Sequence, residues 1–223
     1  MKPFESSSKQ KIFAKIPKSA RYGSQSASKL FKEEVRLLSD DVSARDQLLN
    51  QDLGDAFIQR INTGLVIGTQ CELLRSAEDI PKAVSQFLIK HDLPLSIALQ
   101  NTEFLKRLNW AGFTLLGNVI DDESVSICTA DYGIAETGSV VIQSGPEMPI
   151  LLSFLASYQI VVLKREVIFA YLEDYAQVDA ELAASNNTPR NTSLITGCSG
   201  TTDIEGVLVQ GAHGPKLLHI LVI

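Results

Sequence analysis

The chain has 223 residues, of which 45% are hydrophobic, enough to bury one substantial core but short for two domains and a linker. Its formal net charge is −6, so it lacks the overall positive charge with which proteins gather the phosphates of nucleic acids. These numbers exclude nucleic acid as an expected partner.

Basic charge is concentrated at the start of the chain. Residues 1–29 contain seven Lys or Arg and one acid, Glu5. We predict a partly disordered basic arm over residues 1–42 and an α/β domain over residues 43–223. The arm is either a solvated tail or a segment that docks onto an acidic partner or a membrane surface. An organelle transit peptide fits less well, because the arm is enriched in Lys rather than Arg.

Two further features concern the compartment and the metal content. No secretory signal is visible and no apolar stretch is long enough to span a bilayer, which predicts a cytoplasmic protein without an integral membrane segment. Cys71, Cys128 and Cys198 are widely separated, which argues against a disulfide framework and against a zinc or iron–sulfur site. We therefore expect no metal and no cofactor in this chain.

Helices and strands are predicted to alternate along the first half of the domain. Gly64 stops the first helix, Ser76 and Asp79 form a capping-box-like pair before the second, and Asn101 or Thr102 caps the third. In chain order the segments are a helix over 48–61, a strand over 65–71, a helix over 76–88, a strand over 95–99, a helix over 101–110 and an extended stretch from 114.

The second half is predicted to be richer in strands. Strands are expected over 125–128, 139–142, 160–163, 193–196 and 217–222, with a helix over 166–175 and a polar loop over 180–190. This pattern is typical of an open, mostly parallel sheet with helices on both faces, so we predict the α/β fold class.

The segment from Thr196 to Glu205 is predicted to be a strand, a loop and a helix. Glycines and hydroxyl residues precede an apolar spacing of Ile204, Val207 and Leu208, and free N–H groups at such a helix N-terminus favour an anion. The candidate ligand-binding residues in this segment are Gly197, Ser199, Gly200, Thr201, Asp203 and Glu205, and those in two other segments are Thr137, Gly138, Gly211 and Gly214. A capped helix start without a ligand explains the same pattern. Neither the P-loop nor the dinucleotide-binding fingerprint is met.

Two other segments carry candidate catalytic groups. His213 lies between Gly211 and Gly214, and because histidine side chains serve as acids, bases or anion partners it is a candidate for such a role, with a structural loop histidine as the alternative. Glu136 precedes Thr137 and Gly138 at the mouth of a buried strand, where a carboxylate needs a partner. A solvated turn residue is the alternative for Glu136.

Cys198 is the remaining candidate in the glycine-rich segment. A thiol at a helix N-terminus can become a nucleophile, but a small buried thiol without chemistry explains the residue better.

Taken together, these motifs resemble the LutC family of lactate-utilisation proteins, whose shared unit is called the LUD domain. The resemblance covers residues 47–223 and depends on three motifs in the family's order. They are Ala135-Glu136-Thr137-Gly138, the run from Gly197 through Thr201-x-Asp203-Ile204-Glu205, and Gly211-x-His213-Gly214-Pro215. The family commonly has a proline where this chain has Cys198.

The resemblance implies a NagB/RpiA/CoA-transferase-like fold and a role in the oxidation of L-lactate to pyruvate. Iron–sulfur partner proteins would supply the redox centres, and this chain would be the non-cluster, accessory component that binds a small anionic ligand. Two alternatives stay open. One is a self-sufficient enzyme that uses Glu136 on a carboxylate, phosphate or CoA-linked substrate, and the other is an anion-sensing regulatory module.

Overall fold

The computed structural model describes residues 48–117, 119, 124–185, 187–202 and 206–223. The predicted basic arm over residues 1–42 therefore lies outside the described residues, as do the candidate site residues Asp203 and Glu205.

Twelve strands are found in the described residues. In chain order they are β1 (Thr69–Leu73), β2 (Ser96–Leu99), β3 (Thr114–Leu116), β4 (Val125–Thr129), β5 (Tyr132–Ile134), β6 (Ser139–Gln143), β7 (Tyr158–Leu163), β8 (Ile168–Phe169), β9 (Thr192–Ile195), β10 (Gly200–Thr202), β11 (Leu208–Gln210) and β12 (Leu217–Val222).

Five α-helices accompany these strands in the same part of the chain. They are α1 (Leu53–Arg60), α2 (Ile80–Lys90), α3 (Glu103–Lys106), α4 (Leu151–Phe154) and α5 (Leu172–Ala184). A π-helical turn, Ile61–Leu65, extends α1, and 3-10 turns occupy Ala77–Asp79 and Arg165–Val167. None of these helices combines the length and hydropathy needed to cross a bilayer.

The main sheet contains six strands in the order β1-β12-β7-β4-β2-β3, and all its neighbours are parallel. A second sheet has the order β8-β5-β6-β9, in which β6 runs antiparallel to both of its neighbours. The strands β10 and β11 form a separate antiparallel hairpin. The predicted α/β fold with a mostly parallel sheet is confirmed.

The main sheet is buried on both faces, as expected for parallel strands between layers. Along β7, Ile160 and Val162 pack into the core beneath α2, while Val161 and Leu163 pack into the core beneath α1 and the second sheet. Because successive side chains of a strand point to opposite faces, the continuous apolar run of β7 supplies both cores.

The helix α2 follows directly from its sequence. Ile80, Val84, Phe87 and Leu88 recur at helical spacing and all are buried against the sheet. Pro81 lies in the first turn, where its missing N–H has no intrahelical partner to lose. The predicted helix over 76–88 is confirmed, with a 3-10 turn as its first residues.

The helix α3 begins as predicted and ends early. The hydroxyl of Thr102 accepts a hydrogen bond from the N–H of Leu105 at 3.3 Å, which caps the first turn. The helix stops at Lys106 rather than at Trp110. The indole N–H of Trp110 donates to the carbonyl of Leu105 at 2.7 Å, so a side chain takes the acceptor that a continuing helix would use.

Two predictions about the second half were wrong in their boundaries. Ile168 and Phe169 were expected in a helix. They instead form β8, which pairs with Gly133 and Ile134 of β5, and neither of these two strands was predicted. The helix α5 begins only at Leu172 and runs through part of the predicted polar loop. Pairing between segments far apart in the sequence overrides local helical spacing here.

The strand predicted over residues 65–71 begins later than expected, at Thr69. Leu65 ends the π-helical turn, and Gly64 and Gly68 both have positive φ angles, +79° and +62°. Residues 66–68 therefore form a bend between α1 and β1 rather than the first half of a strand.

Candidate functional site

The helix predicted after Gly200 is not formed. Residues 200–202 pair antiparallel with residues 208–210, with Thr201 opposite Val209, so this segment is the hairpin of β10 and β11. Of the apolar residues that suggested a helix, Leu208 lies in β11 and Val207 comes directly before it, after Gly206 with a φ of +82°. The described part of residues 196–210 contains no helix N-terminus, so no helix dipole is available to an anion among these described residues.

The glycine-rich segments nevertheless meet in space. The N–H of Cys198 donates to the carbonyl of Ile67 at 3.1 Å, that of Ser199 to Pro215 at 2.8 Å, and that of Gly211 to Ser199 at 2.9 Å. We call Gly68, Cys198, Ser199, Gly211 and Pro215 the amino-edge cluster, because it lies where β1 and β12 begin.

Steric packing explains two glycines around this cluster. Gly68 has a φ of +62°, and a Cβ on it would overlap the Sγ of Cys198. Gly211 has a φ of +81°, and a Cβ there would overlap the side chain of Lys216. Both positions need glycine for the backbone conformation and for the close approach of a neighbour, without any ligand. Gly214 also packs closely, with its Cβ position 3.2 Å from the Cβ of Ser199.

A row of hydroxyl groups links the two segments that the sequence singled out. The Oγ1 of Thr137 lies 2.6 Å from the Oγ of Ser139, which in turn lies 2.5 Å from the Oγ1 of Thr196. Ser139 is buried at the start of β6. Sequence reasoning missed Ser139 and Thr196 as neighbours, because only the pairing of β6 with β9 brings them together.

Glu136 lies at the tip of the β5–β6 hairpin. The turn is closed by the N–H of Gly138, which donates to the carbonyl of Ile134 at 2.9 Å, and Gly138 has a φ of +71°. The carboxylate of Glu136 is exposed and has no hydrogen-bond partner among the described residues. His213 is likewise exposed on its loop. The structure records no contact between the two candidate catalytic side chains.

A different region, the carboxyl edge of the main sheet, contains the cavities. Within the main sheet, the next strand after β2, β3, lies on one side of it, whereas the next main-sheet strand after β4, β7, lies on the opposite side of β4. Ligands of open α/β sheets bind in the crevice outside the carboxyl ends of strands where the strand order reverses in this way. Gln100 joins the two strand ends here, since its Oε1 accepts from the N–H and Oγ1 of Thr129 at 2.7 and 2.9 Å.

A crevice of about 280 Å³ lies at this reversal point. It is lined by Thr102, Phe104, Thr129, Ala130, Asp131, Val162, Lys164 and Val167, and we call it the carboxyl-edge crevice. Asp131 comes two residues after the end of β4 and five residues before the candidate Glu136. Lys164 follows β7 directly and was not predicted. A charged residue that immediately follows a buried strand is the signal that could have found it.

A larger cavity of about 660 Å³ lies on the other side of the turn after β2. Its lining is mostly leucine and proline from the ends of β2 and β3 and from α4, with Lys106 and Glu147 as its charged residues. Of the candidate site residues predicted from the sequence, none lines either cavity.

Comparison with known proteins identifies the family. A family model described as the LUD domain matches residues 76–223. The chain belongs to the LUD domain family. The resemblance noted from the sequence motifs is thereby confirmed.

Relatives of this LUD domain include proteins with names that describe lactate utilisation. An uncharacterized protein YkgG of Escherichia coli (strain K12) is 29% identical over 193 residues, which cover 79% of this chain and 82% of the relative. Lactate utilization protein C of Macrococcus caseolyticus is 34% identical over 106 residues, 47% of this chain and 46% of the relative. Lactate utilization protein C of Halalkalibacterium halodurans is 33% identical over 99 residues, which cover 43% of this chain and 42% of the relative. The chain thus matches less than half the length of these two relatives.

A solved structure supports the fold of the LUD domain. A DUF162 family protein from Deinococcus radiodurans superposes with a TM-score of 0.56 and covers 77% of this chain and 98% of its own. The sequence identity is 16%, so this likeness concerns the fold alone.

Cys198 is not activated as a nucleophile in this LUD domain. Burial raises the pKa of its thiol, and the Nε2 of Gln210 lies 3.6 Å from its Sγ. A raised pKa keeps the thiol protonated at neutral pH, whereas a nucleophile needs the thiolate. The geometry favours the small packed thiol over the catalytic interpretation.

A buried histidine gives the LUD domain a predicted sensitivity to acid. His219 lies within β12, stacks on Phe87 at a centroid distance of 4.9 Å, and its Nε2 lies 2.9 Å from the Oε1 of Glu72. Burial lowers the pKa of His219 and outweighs the opposing interaction with Glu72. The fold therefore favours the neutral imidazole.

We expect the free energy of unfolding to fall as the pH drops. Because the folded-state pKa lies below the unfolded value of about 6.5, the contribution of His219 is fully present above that pH and is lost as the pH falls through the folded-state pKa. Urea titrations between pH 7.5 and 5 measure this loss. The substitution His219→Gln should flatten the pH dependence, whereas His213→Gln, on an exposed loop, should leave it unchanged. Equal pH dependence in all three proteins would contradict the assignment.

Proposed function

We propose that this LUD domain protein is the non-cluster component of an L-lactate utilisation system and binds a small anionic ligand there. The observation that carries the proposal is the similarity to proteins named lactate utilization protein C, at 34% and 33% identity over 106 and 99 residues. The oxidation of lactate to pyruvate needs an electron acceptor, and iron–sulfur proteins of the same system would supply it.

The placement of the cysteines supports a redox centre outside this chain. Cys71 lies in β1 and Cys128 in β4, and these strands are separated by β12 and β7 in the sheet. Three strand spacings correspond to roughly 14 Å. Both thiols are buried, and burial raises the pKa of each to about 12. Protonated thiols this far apart are poor ligands for a common cluster.

Deletion of the gene in its own host tests the role in lactate utilisation. We expect the deletion strain to grow normally on pyruvate and to lose growth on L-lactate, because the block lies before pyruvate. A plasmid copy of the gene should restore growth on L-lactate. Unchanged growth of the deletion strain on L-lactate would contradict the proposed function.

An activity assay of the purified protein distinguishes the accessory role from the alternative of a self-sufficient enzyme. With L-lactate and an artificial electron acceptor, the protein alone should form no pyruvate, since it supplies no redox centre of its own. Turnover that Glu136→Gln abolishes would instead support the alternative in which this chain is an enzyme by itself.

A further inference from the structure

We propose that the carboxyl-edge crevice binds a small 2-hydroxycarboxylate, with Lys164 pairing with the carboxylate and Asp131 accepting a hydrogen bond from the hydroxyl. The chemical class of the ligand rests on the proposed function, whereas the place and the two groups rest on the structure. None of the residues that the sequence motifs singled out as candidates is needed for this site.

The position of the crevice is set by the topology of the main sheet. The connections that leave β2 and β4 lead to opposite sides at the reversal point, and Thr102, Thr129 and Asp131 follow or end these two strands. The wall on the third side comes from β7 through Val162 and Lys164. Three neighbouring parallel strands thus bring their carboxyl ends to one concave surface, the usual location of a ligand in such sheets.

Lys164 is available to a ligand carboxylate. Its Nζ lies 3.9 Å from the Oε1 of Glu166, and the side chains are 55% and 71% exposed, so the pair is loose and weak. A carboxylate that enters the partly enclosed crevice can form a shorter, charge-assisted hydrogen bond with this ammonium group. Glu166 does not line the crevice, so a ligand does not have to displace it.

Asp131 is held in place by a backbone hydrogen bond. Its Oδ2 accepts a hydrogen bond from the N–H of Gln143 at 2.7 Å, which fixes the side chain against β6. An ionised carboxylate can accept further hydrogen bonds at its second oxygen. Partial removal from water raises the pKa of Asp131, so a hydroxyl that donates to this oxygen would stabilise the ionised form.

The other lining groups suit a short, compact ligand. The hydroxyl of Thr102 already accepts a hydrogen bond from the N–H of Leu105, and the hydroxyl of Thr129 already donates one to Gln100. Phe104, Val162 and Val167 supply an apolar wall for a methyl-sized group. A volume of about 280 Å³ is at the small end of ligand pockets and fits a small organic acid better than a nucleotide.

Calorimetric titration of the full chain with L-lactate, propionate and pyruvate tests the site. We expect Lys164→Gln to weaken L-lactate binding about tenfold or more, because it removes a charged hydrogen-bond donor. Asp131→Asn keeps an oxygen for the N–H of Gln143 and should weaken L-lactate severalfold while leaving propionate, which lacks the hydroxyl, unchanged. Lys106→Gln is the matched control, since Lys106 lines the larger cavity instead. Melting temperatures of the three variants should match the wild type.

Each contrary outcome points to a definite error. If wild-type affinity for L-lactate is retained in both crevice variants, or only Lys106→Gln lowers it, the carboxyl-edge crevice is not the site. Equal effects of Asp131→Asn on L-lactate and propionate would exclude a hydroxyl contact. If the wild type binds none of the three acids but growth on L-lactate still depends on the gene, the site is wrong and the proposed function stands. If the crevice variants lose L-lactate binding as expected but growth does not depend on the gene, the site stands and the proposed function is wrong.

Discussion

Gly68→Ala is expected to destabilise the LUD domain by about 3 kcal/mol, the sum of two costs at one position. An L-residue in the left-handed region costs roughly 1–2 kcal/mol, and forcing an extra methyl into a packed site costs roughly 1–3 kcal/mol. Gly68 has a φ of +62°, and its new Cβ would overlap the Sγ of Cys198. Chemical denaturation in urea measures the loss.

Gly64→Ala is the matched control for this prediction. Gly64 has a φ of +79°, similar to that of Gly68, but nothing lies within 4 Å of its Cβ position. It should therefore show only the conformational cost of about 1–2 kcal/mol. In the double variant Gly68→Ala with Cys198→Ala, part of the loss should be recovered, because the thiol is removed while the Cβ of residue 198 stays 2.8 Å away. Equal losses for Gly64→Ala and Gly68→Ala would show that packing against Cys198 contributes nothing.

Phe57→Ala is expected to cost about 3–5 kcal/mol, the range for truncation of a fully buried aromatic residue. Phe57 is 0% exposed in the core that α1 shares with the main and second sheets. It lies before residue 76, where the match to the LUD domain model begins. The substitution therefore tests the prediction that the folded domain starts before that residue.

Gln59→Ala provides the comparison on the same helix. Gln59 is exposed, so its truncation should change the free energy of unfolding by less than about 0.5 kcal/mol. Urea denaturation of both variants, with the unfolding slope compared, measures the difference. A loss below about 1 kcal/mol for Phe57→Ala would mean that α1 is an addition to the domain rather than part of its core.

Prediction from the sequence was most successful where local pattern and burial agree. The strands β2, β4, β6, β7, β9 and β12 were all located to within two residues, and the helix α2 was found with its end within two residues and its start four residues later than predicted. Each is a short apolar run, or an apolar stripe at helical spacing, whose burial in the layered core matches its local preference. The family was also recognisable, because several short motifs occur in a fixed order along the chain.

Prediction failed where distant segments decide the structure. The strands β5 and β8 have three and two residues, and β8 exists only because Ile168 and Phe169 pair with β5. The hairpin of β10 and β11 replaced a predicted helix for the same reason, since Thr201 pairs with Val209. Such short strands gain their hydrogen bonds from a partner, so their own sequence carries little signal.

The glycine-rich segments show the same difference between a local sequence pattern and the contacts of distant segments, here in the prediction of a functional site. Their residue types predicted an anion site, but for Gly211 a positive φ angle and close packing against Lys216 explain the glycine without a ligand. Val66, Ile67 and Gly68 were assigned to a strand, although they form the bend against which Gly197 and Cys198 pack. A glycine in a sequence indicates a special backbone position but not whether a neighbour or a ligand requires it.

By itself, then, the sequence determined the layered α/β class, most of the central strands and the membership of the LUD domain family, because hydrophobic periodicity and short motifs are local properties. Only the tertiary structure decided which residues share a cavity. Asp131 and Lys164 are 33 positions apart and both line the carboxyl-edge crevice because β4 and β7 are neighbours in the sheet. Strand order depends on the energy of the whole packed core, so no local pattern contains it.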